Sequence, residues 1–228
     1  MIPLILLPGL ASDAALWSAQ LHDLANIAEC SVGDTLHDDS LPAMARRVLA
    51  AAPERFALAG LSMGGYLALE IVRQAPARVE RLALCDTSAR PDTPEQTAGR
   101  HAAIAALDKY GLPAMAPASL PQLLHPDAPQ AVRDAVVAMS IRVGADTYRR
   151  QQRAVIARPD SRPLLPMIAV PTMVLVGAQD LLTPPALAQE MHAAIPEATL
   201  VTIPDAGHLP PLEQPDAVSA ALRDWLAR

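Results

Sequence analysis

The sequence has only two cysteines among its 228 residues, Cys30 and Cys85, and both lie in apolar segments that suit strands. They lack the close spacing of a metal-binding pair, which argues against a cysteine metal site and against a disulfide-rich secreted scaffold. Two isolated cysteines of this kind are most simply buried, reduced thiols. We therefore expect a cytoplasmic protein that holds no metal.

Long apolar runs and an excess of basic residues are also missing. The apolar residues 1–8 have no basic segment before them and are too few for a signal peptide, so we interpret them as a buried strand. No run reaches the length of a membrane span. Basic residues number 18 and acidic residues 24, and the net charge of −6 gives no electrostatic case for binding nucleic acid or an anionic membrane surface.

What the sequence does contain is a regular alternation of strand and helix patterns. Hydrophobic residues make up 51% of the chain, and neither a polar low-complexity tract nor an internal repeat is visible. The alternation predicts a parallel sheet of about six strands with helices on both faces, which would bind its ligand at the carboxyl ends of the strands. The expected strands are residues 2–7, 26–35, 55–59, 79–86, 171–177 and 198–203, and the helices between and after them are 14–25, 40–51, 65–73, 185–194 and 216–227.

The alternation breaks between residues 87 and 166, where we expect no buried strand. Thr93 to Gln96 form a capping box with proline at the first helical position, which predicts a helix ending at Gly111. The proline-rich residues 112–129 leave room for one short helix, and two further helices are expected at 131–143 and 146–157. We interpret residues 88–166 as a helical lid inserted into a core domain of residues 1–87 and 167–228. A helical appendage that only stabilises the fold is the alternative.

Residues 60–64 read Gly-Leu-Ser-Met-Gly and lie between a strand-like and a helix-like apolar segment. A serine nucleophile needs this context, because a very tight turn holds it in strained geometry with its hydroxyl exposed at the end of a sheet. Side chains two residues before and after the serine would collide in such a turn, so glycine is required at both positions. Ser62 is therefore the candidate nucleophile, and a chance match to the pattern is the alternative.

A serine hydroxyl needs a base to take its proton and an acid to orient that base. Asp180 and His208 each follow a strand, in the chain order of acid and then histidine that this architecture uses. Asp86 also ends a strand and competes with Asp180 as the acid, whereas Asp205 more simply shapes the loop of His208. The other five histidines lie in helices, in the insertion or before Ser62, and they are weaker candidates.

Two backbone N–H groups are the expected donors to the negative charge that develops on a carbonyl oxygen. Met63 directly follows Ser62 in the tight turn, and Leu10 follows a proline and a glycine at the end of the first strand. Glycine at that position lets the backbone approach a substrate closely. Apolar residues of the insertion suggest an apolar substrate pocket, although helical packing is the alternative interpretation. These residues are Leu112, Met115, Leu123, Met139 and Tyr148.

With these residues in place, the sequence resembles the α/β-hydrolase superfamily over nearly its entire length, and within it the compact, intracellular, lid-bearing esterases. The supporting stretches are residues 7–10, 60–65, 174–180 and 207–215. Two differences are evident: a proline replaces the histidine that many relatives have before Gly9, and the first two of the usual eight strands are absent. The family's strand order implies that residues 26–35 form the sheet edge and that Cys30 and Cys85 lie too far apart to pair.

The resemblance implies acyl transfer to water in two steps and without a cofactor, with Ser62 as nucleophile and His208 as base. We expect a small or medium carboxylic ester as the substrate; the sequence leaves homodimer formation open. Thioesterase, lactonase and carbon–carbon bond hydrolase are alternatives with the same triad. Dehalogenases and epoxide hydrolases with an aspartate nucleophile are disfavoured because residue 62 is serine. A ligand receptor that keeps the fold but hydrolyses slowly or not at all is the alternative from another class.

Overall fold

The computed structural model of the chain describes all of its residues, 1–228, and contains one six-stranded sheet in the order β2-β1-β3-β4-β5-β6. Every neighbouring pair of strands is parallel. The strands are β1 (Ile2–Leu7), β2 (Ala28–Val32), β3 (Phe56–Leu61), β4 (Val79–Cys85), β5 (Thr172–Gly177) and β6 (Thr199–Ile203). The prediction of a parallel sheet of about six strands is confirmed.

Ten α-helices surround the sheet or lie between its strands. They are α1 (Ser18–Asp23), α2 (Leu41–Ala51), α3 (Met63–Gln74), α4 (Pro94–Tyr110), α5 (Leu112–Leu123), α6 (Gln130–Val143), α7 (Ala145–Ile156), α8 (Pro185–Ala194), α9 (Pro210–Glu213) and α10 (Pro215–Leu226). Short 3₁₀ turns are found at Ala14–Trp17, Pro76–Arg78 and Arg162–Met167. None of the helices combines the length and the apolarity that crossing a bilayer requires.

The sheet separates two hydrophobic cores, because side chains alternate between its faces. In β1, Ile5 and Leu7 pack into the core that α2, α3 and α8 cover. Leu4 and Leu6 of the same strand pack on the opposite face, with residues of α10 and of the 3₁₀ turn before α1. β3 and β5 are buried along their whole length, as expected of central strands in a parallel sheet.

The edge strand β2 is the polar one, as the resemblance implied. Glu29 and Ser31 are exposed on it, whereas a central strand would bury both faces. Cys30 lies in β2 and Cys85 in β4, with β1 and β3 between them, and both cysteines are free. The prediction of two unpaired thiols is confirmed, although Cys30 is only partly buried.

Several helix and strand bounds differ from those expected. Residues 14–25 form a 3₁₀ turn and a short helix, because the Asp13 carboxylate accepts the Ala15 N–H and starts the tighter turn. The strand expected at 26–35 is only Ala28–Val32, since the N–H groups of Ile27 and Ala28 turn back to the Leu24 carbonyl. Ser40 precedes α2, but its side chain makes no capping hydrogen bond.

The segment between β4 and β5 contains four α-helices, α4 to α7, and no strand. Both hydrogen bonds of the capping box are present: Thr93 N–H donates to Gln96 Oε1 over 2.9 Å, and Gln96 N–H donates to Thr93 Oγ1 over 3.2 Å. The proline-rich stretch forms the twelve-residue α5 with Pro117 and Pro121 inside it, a longer helix than the sequence indicated. It packs between α4 and α6, so tertiary contacts outweigh the poor helix propensity of proline.

Candidate active site

Ser62 connects β3 to α3 in a left-handed backbone conformation, with φ 56° and ψ −115°. A non-glycine residue in this region is strained and persists only where its surroundings hold it in place. Its N–H donates to the Cys85 carbonyl over 2.9 Å, and its own carbonyl accepts the Thr87 hydroxyl over 2.8 Å. Cys85, at the end of β4, and Thr87 therefore hold the serine turn in place.

The two glycines of the motif are required by close backbone contacts. A Cβ at position 60 would lie 2.2 Å from the Gly64 carbonyl oxygen, and a Cβ at position 64 would lie 2.2 Å from the Leu7 carbonyl oxygen. Real Cβ atoms do not approach backbone this closely. The expectation that side chains at both positions would collide matches this geometry.

His208 and Asp180 form a buried hydrogen-bonded pair, with His208 Nδ1 2.8 Å from Asp180 Oδ2. The Thr183 hydroxyl donates to the same carboxylate oxygen over 2.6 Å, and the N–H groups of Leu182 and Thr183 donate to Oδ1 over 2.8 and 3.0 Å. Every hydrogen bond of the His208 ring is made at Nδ1, so Nε2 is free to exchange a proton. This arrangement orients the ring as a base needs to be oriented.

The electrostatics of Asp180 favour its charged form. Burial by itself raises the pKa of this carboxyl, but the hydrogen bonds and charge of His208 and the hydrogen bonds from Thr183 outweigh it and hold the pKa below its ordinary value. Asp180 is therefore an anion beside the imidazole. It can stabilise the imidazolium that forms when His208 takes a proton.

Asp86, the competing candidate acid, is fully buried beside this pair but bonds elsewhere. Its Oδ1 accepts the Gly177 N–H over 2.7 Å, and its Oδ2 has no hydrogen-bond partner. Burial raises the pKa of Asp86 well above its ordinary value, and the negative charge of Asp180 raises it further. The structure thus bonds His208 to Asp180 and not to Asp86, whose raised pKa favours the neutral carboxyl.

Donor atoms of Asp86, Asp180 and His208 lie within 4.8 Å of one another, which is the only grouping close enough to hold a metal ion. The acceptor positions of Asp180 are taken by Thr183, Leu182 and His208, and one oxygen of Asp86 is taken by Gly177. Protein hydrogen bonds therefore use most of this donor set.

Ser62 and His208 face the same cavity, whose volume is about 620 Å³. No hydrogen bond joins the Ser62 hydroxyl to the His208 ring; such bonds are commonly long in free enzymes and tighten when substrate binds. All five insertion residues expected at a substrate pocket line this cavity. They are Leu112, Met115, Leu123, Met139 and Tyr148.

The two expected oxyanion donors are Met63, which directly follows Ser62, and Leu10, which lines the same cavity as Ser62. Met63 is the first residue of α3, so its N–H has no intrahelical partner, and the N–H of Leu10 on the cavity wall has no acceptor within the protein. Ala11, next to Leu10, has φ 57° and donates its N–H to Gln151 Oε1 of α7 over 2.8 Å. A helix of the insertion therefore holds the loop that carries the expected donor Leu10.

Two positioning residues were not identified from the sequence. Glu213 accepts the N–H groups of Gly207 and Leu209 over 3.0 and 3.1 Å and so holds the loop of His208 from both sides. Thr183 follows Asp180 by three residues, a spacing typical of a polar turn that could have indicated its role. Glu213 lies within the stretch 207–215 that supports the family resemblance, but its positioning role depends on backbone groups of a loop that the sequence does not place.

Comparison with known proteins finds one matching family and, among the similar proteins, esterases and a lactonase. Residues 2–215 match the family model described as the alpha/beta hydrolase fold. A pimeloyl-[acyl-carrier protein] methyl ester esterase of Edwardsiella ictaluri is 30% identical, with 97% of this chain and 92% of that protein covered. The structure of a thermophilic esterase from Thermogutta terrifontis, with malate bound, matches with a TM-score of 0.91 at 32% identity, covering 100% of this chain and 90% of that one. The enol-lactonase of Burkholderia xenovorans LB400 matches with a TM-score of 0.90 at 27% identity, covering 100% and 92%.

Proposed function

The chain belongs to the α/β-hydrolase family, and we propose that it is a serine esterase that cleaves small or medium carboxylic esters through an acyl-enzyme on Ser62. The observation that carries the proposal is the strained Ser62 turn opening on a cavity whose wall includes the Asp180-bound His208. Pocket lining alone would suit a receptor as well. A strained serine turn together with an oriented histidine favours a catalyst.

In the first step the Ser62 hydroxyl attacks the ester carbonyl while His208 Nε2 takes its proton. The carbonyl oxygen becomes an oxyanion, which the N–H groups of Leu10 and Met63 stabilise. His208, now an imidazolium beside the anionic Asp180, gives the proton to the departing alkoxide, and the alcohol leaves. An acyl group remains on Ser62.

In the second step water replaces the alcohol. His208 Nε2 takes a proton from the water, the resulting hydroxide attacks the acyl carbonyl, and the same two N–H groups stabilise the second oxyanion. The bond to Ser62 Oγ then breaks, the serine recovers its proton from His208, and a carboxylic acid leaves. Each step uses residues of this chain alone.

Lactone hydrolysis is the second candidate. It is favoured by the similarity to an enol-lactonase along the entire chain. The same steps open a lactone, except that the alcohol remains attached to the acyl group after the ring opens. Thioester and carbon–carbon bond hydrolysis are not favoured by any feature of the site.

Reaction with a fluorophosphonate probe tests the proposal, because the probe phosphonylates activated serine hydroxyls. We expect one equivalent of label on the wild-type protein and none on Ser62→Ala, as read by intact-protein mass spectrometry. Ser18→Ala, which removes an exposed hydroxyl on α1, is the control and should be labelled like the wild type. A folded wild-type protein that is neither labelled nor able to hydrolyse short p-nitrophenyl esters would favour the receptor instead.

A further inference from the structure

Resting on the proposed esterase function, we propose that the cavity selects esters that carry a carboxylate at the end remote from the scissile bond, and that Arg100 and Arg158 bind this carboxylate. The charge of the cavity wall points to this substrate class. Three arginines and no aspartate or glutamate are among the 32 residues that line it. The chain as a whole has the opposite imbalance, with 24 acidic and 18 basic residues.

Arg100 and Arg158 are held in place by a carboxylate that lies behind them. Asp92 accepts Arg100 Nε over 2.7 Å and also accepts Arg158 Nη1. Its side chain is 1% exposed and it does not line the cavity, whereas Arg100 and Arg158 do. Two positive charges and one negative charge give these three residues one net positive charge.

One nitrogen of the Arg158 guanidinium has no hydrogen-bond partner in the protein. Its side chain is only 4% exposed, yet Nη2 makes no hydrogen bond, whereas Nε donates to the Arg90 carbonyl and Nη1 to Asp92 and the Val155 carbonyl. A buried guanidinium is normally satisfied at all of its N–H groups. Arg158 lines the cavity, and its Nη2 is therefore available to an acceptor that the protein does not supply.

Arg158 contacts Tyr66, a residue of the cavity wall that follows Ser62 closely in sequence. Its guanidinium stacks on the ring of Tyr66, with 4.3 Å between the guanidinium carbon and the ring centroid. Tyr66 lies one turn into α3, four residues after Ser62, and also lines the cavity. The carboxylate would thus bind where Arg158 contacts the Tyr66 ring, and the scissile carbonyl would lie at Ser62 on the wall of the same cavity.

Other polar residues of the wall continue the same network. Arg100 Nη1 donates to Gln152 Oε1 over 3.0 Å, and Gln152 Nε2 donates to the Tyr148 hydroxyl over 2.8 Å. The third lining arginine is different, because Arg90 is neutralised by an exposed ion pair with Glu190. One net charge matches a carboxylate better than a doubly charged phosphate, and planar guanidinium groups suit carboxylate geometry.

The test compares p-nitrophenyl monoesters of succinic, glutaric and adipic acid, which carry a free carboxylate, with neutral p-nitrophenyl esters of similar length. We expect kcat/KM for the best anionic ester to exceed that of its neutral partner by on the order of tenfold or more, since a hydrogen bond to a charged group is worth that much. In Arg100→Met this ratio should fall by about tenfold. Asp92 stays paired with Arg158 in that variant, so no buried charge is left alone.

Arg149→Met is the matched control, because Arg149 lies on α7 outside the cavity and pairs with Asp108 and Asp146. Its ratio should equal that of the wild type. A wild-type protein that hydrolyses neutral esters at least as well as all three anionic esters would overturn the proposal. An unchanged ratio of kcat/KM for anionic and neutral esters in folded Arg100→Met would also overturn it. The hydrogen bonds of Arg100 would then only connect the insertion to the rest of the protein.

Binding separates this proposal from the esterase function. Isothermal titration of Ser62→Ala, which cannot turn over, should show monomethyl glutarate or adipate binding at least about tenfold more tightly than the dimethyl ester. If no ester is hydrolysed by the wild type but this difference is found, the esterase proposal fails and the carboxylate site stands. Hydrolysis of esters without any difference in binding would overturn the carboxylate site alone.

Discussion

Asp86 and Asp180 bring two buried carboxyl groups within 4.8 Å of each other, yet only Asp180 is hydrogen-bonded to His208. Asp180, whose pKa is lowered, is bonded to the histidine, whereas Asp86, whose pKa is raised, is bonded to the Gly177 N–H. Asp180→Asn should lower kcat by roughly 10³- to 10⁴-fold, because an amide cannot hold the same imidazole tautomer or stabilise its charge.

Asp86→Asn is the matched variant and should keep most of the activity. An asparagine oxygen can still accept the Gly177 N–H, and asparagine tolerates the left-handed backbone at this position, where φ is 43°. Initial rates on one p-nitrophenyl ester at pH 7 compare the two variants directly. An inactive Asp86→Asn together with an active Asp180→Asn would reverse the assignment of the acid.

The difference in the free energy of unfolding between Asp86→Asn and the wild type should depend on pH, and the raised pKa of Asp86 determines its direction. Burial and the charge of Asp180 raise the pKa of Asp86 in the folded state, so the folded chain holds this proton at pH values where the unfolded chain has lost it. The contribution of Asp86 to the free energy of unfolding is fully present below the ordinary pKa of 3.8. It is lost as the pH rises toward the pKa of Asp86 in the folded state. At pH 7 the wild type therefore carries a penalty that Asn removes.

We expect Asp86→Asn to have a larger free energy of unfolding than the wild type at pH 7, with the difference shrinking toward pH 4. Urea titrations at pH 4, 5.5 and 7 measure it. Asp180 has a pKa shifted in the opposite direction, but it is present in both proteins, so its contribution largely cancels in the difference. A difference that is the same at all three pH values would contradict a raised pKa at Asp86.

Gly64→Ala should prevent correct folding of the serine turn, since its Cβ would lie 2.2 Å from the Leu7 carbonyl oxygen. Gly99→Ala is the matched substitution: this glycine lies inside α4 and an added Cβ would meet no atom within 4 Å, so alanine should stabilise the protein by about 1 kcal/mol. Thermal unfolding followed by circular dichroism compares them. Equal effects of the two substitutions would show that the close approach at residue 64 is not required.

Sequence patterns predict what local rules and chain order determine. Ser62, Asp180 and His208 each follow a strand, and parallel strands end at one edge of the sheet, so their proximity follows from the topology alone. The start of α4 is predictable because the capping box of Thr93 and Gln96 involves only residues three apart. The sequence underestimates the twelve-residue α5 because its prolines disfavour a helix that packing against α4 and α6 stabilises.

The two arginines of the cavity wall, Arg100 and Arg158, are not predictable from the sequence in the same way. Arg100 and Asp92 are close in sequence, but Arg158 lies 66 residues after Asp92 and reaches it only because α7 packs on α4. Arginine is ordinarily a solvated residue, and only the fold shows that Arg100 and Arg158 line a cavity. The sequence therefore indicates the apolar residues of the pocket and misses its polar ones.

We expect Gln151 to act as a positioning residue for the loop that carries the Leu10 N–H. It is fully buried on α7, where Oε1 accepts the Ala11 N–H over 2.8 Å and Nε2 donates to the Thr35 carbonyl over 3.1 Å. Gln151→Leu keeps the volume but releases the loop that carries the Leu10 N–H. We expect kcat to fall by about ten- to a hundredfold with a smaller change in KM, because the oxyanion forms only in the transition state.

Loss of stability must be separated from loss of this alignment, and Gln20→Leu serves that purpose. Gln20 is an equally buried glutamine on α1 that donates to the Pro215 carbonyl and lies outside the cavity. Both variants should unfold at lower urea concentration, since each leaves buried backbone groups unpaired. Only Gln151→Leu should lose kcat when both are assayed well below their unfolding transitions. A Gln151→Leu protein that retains wild-type kcat would show that the Leu10 N–H is held without help from the insertion.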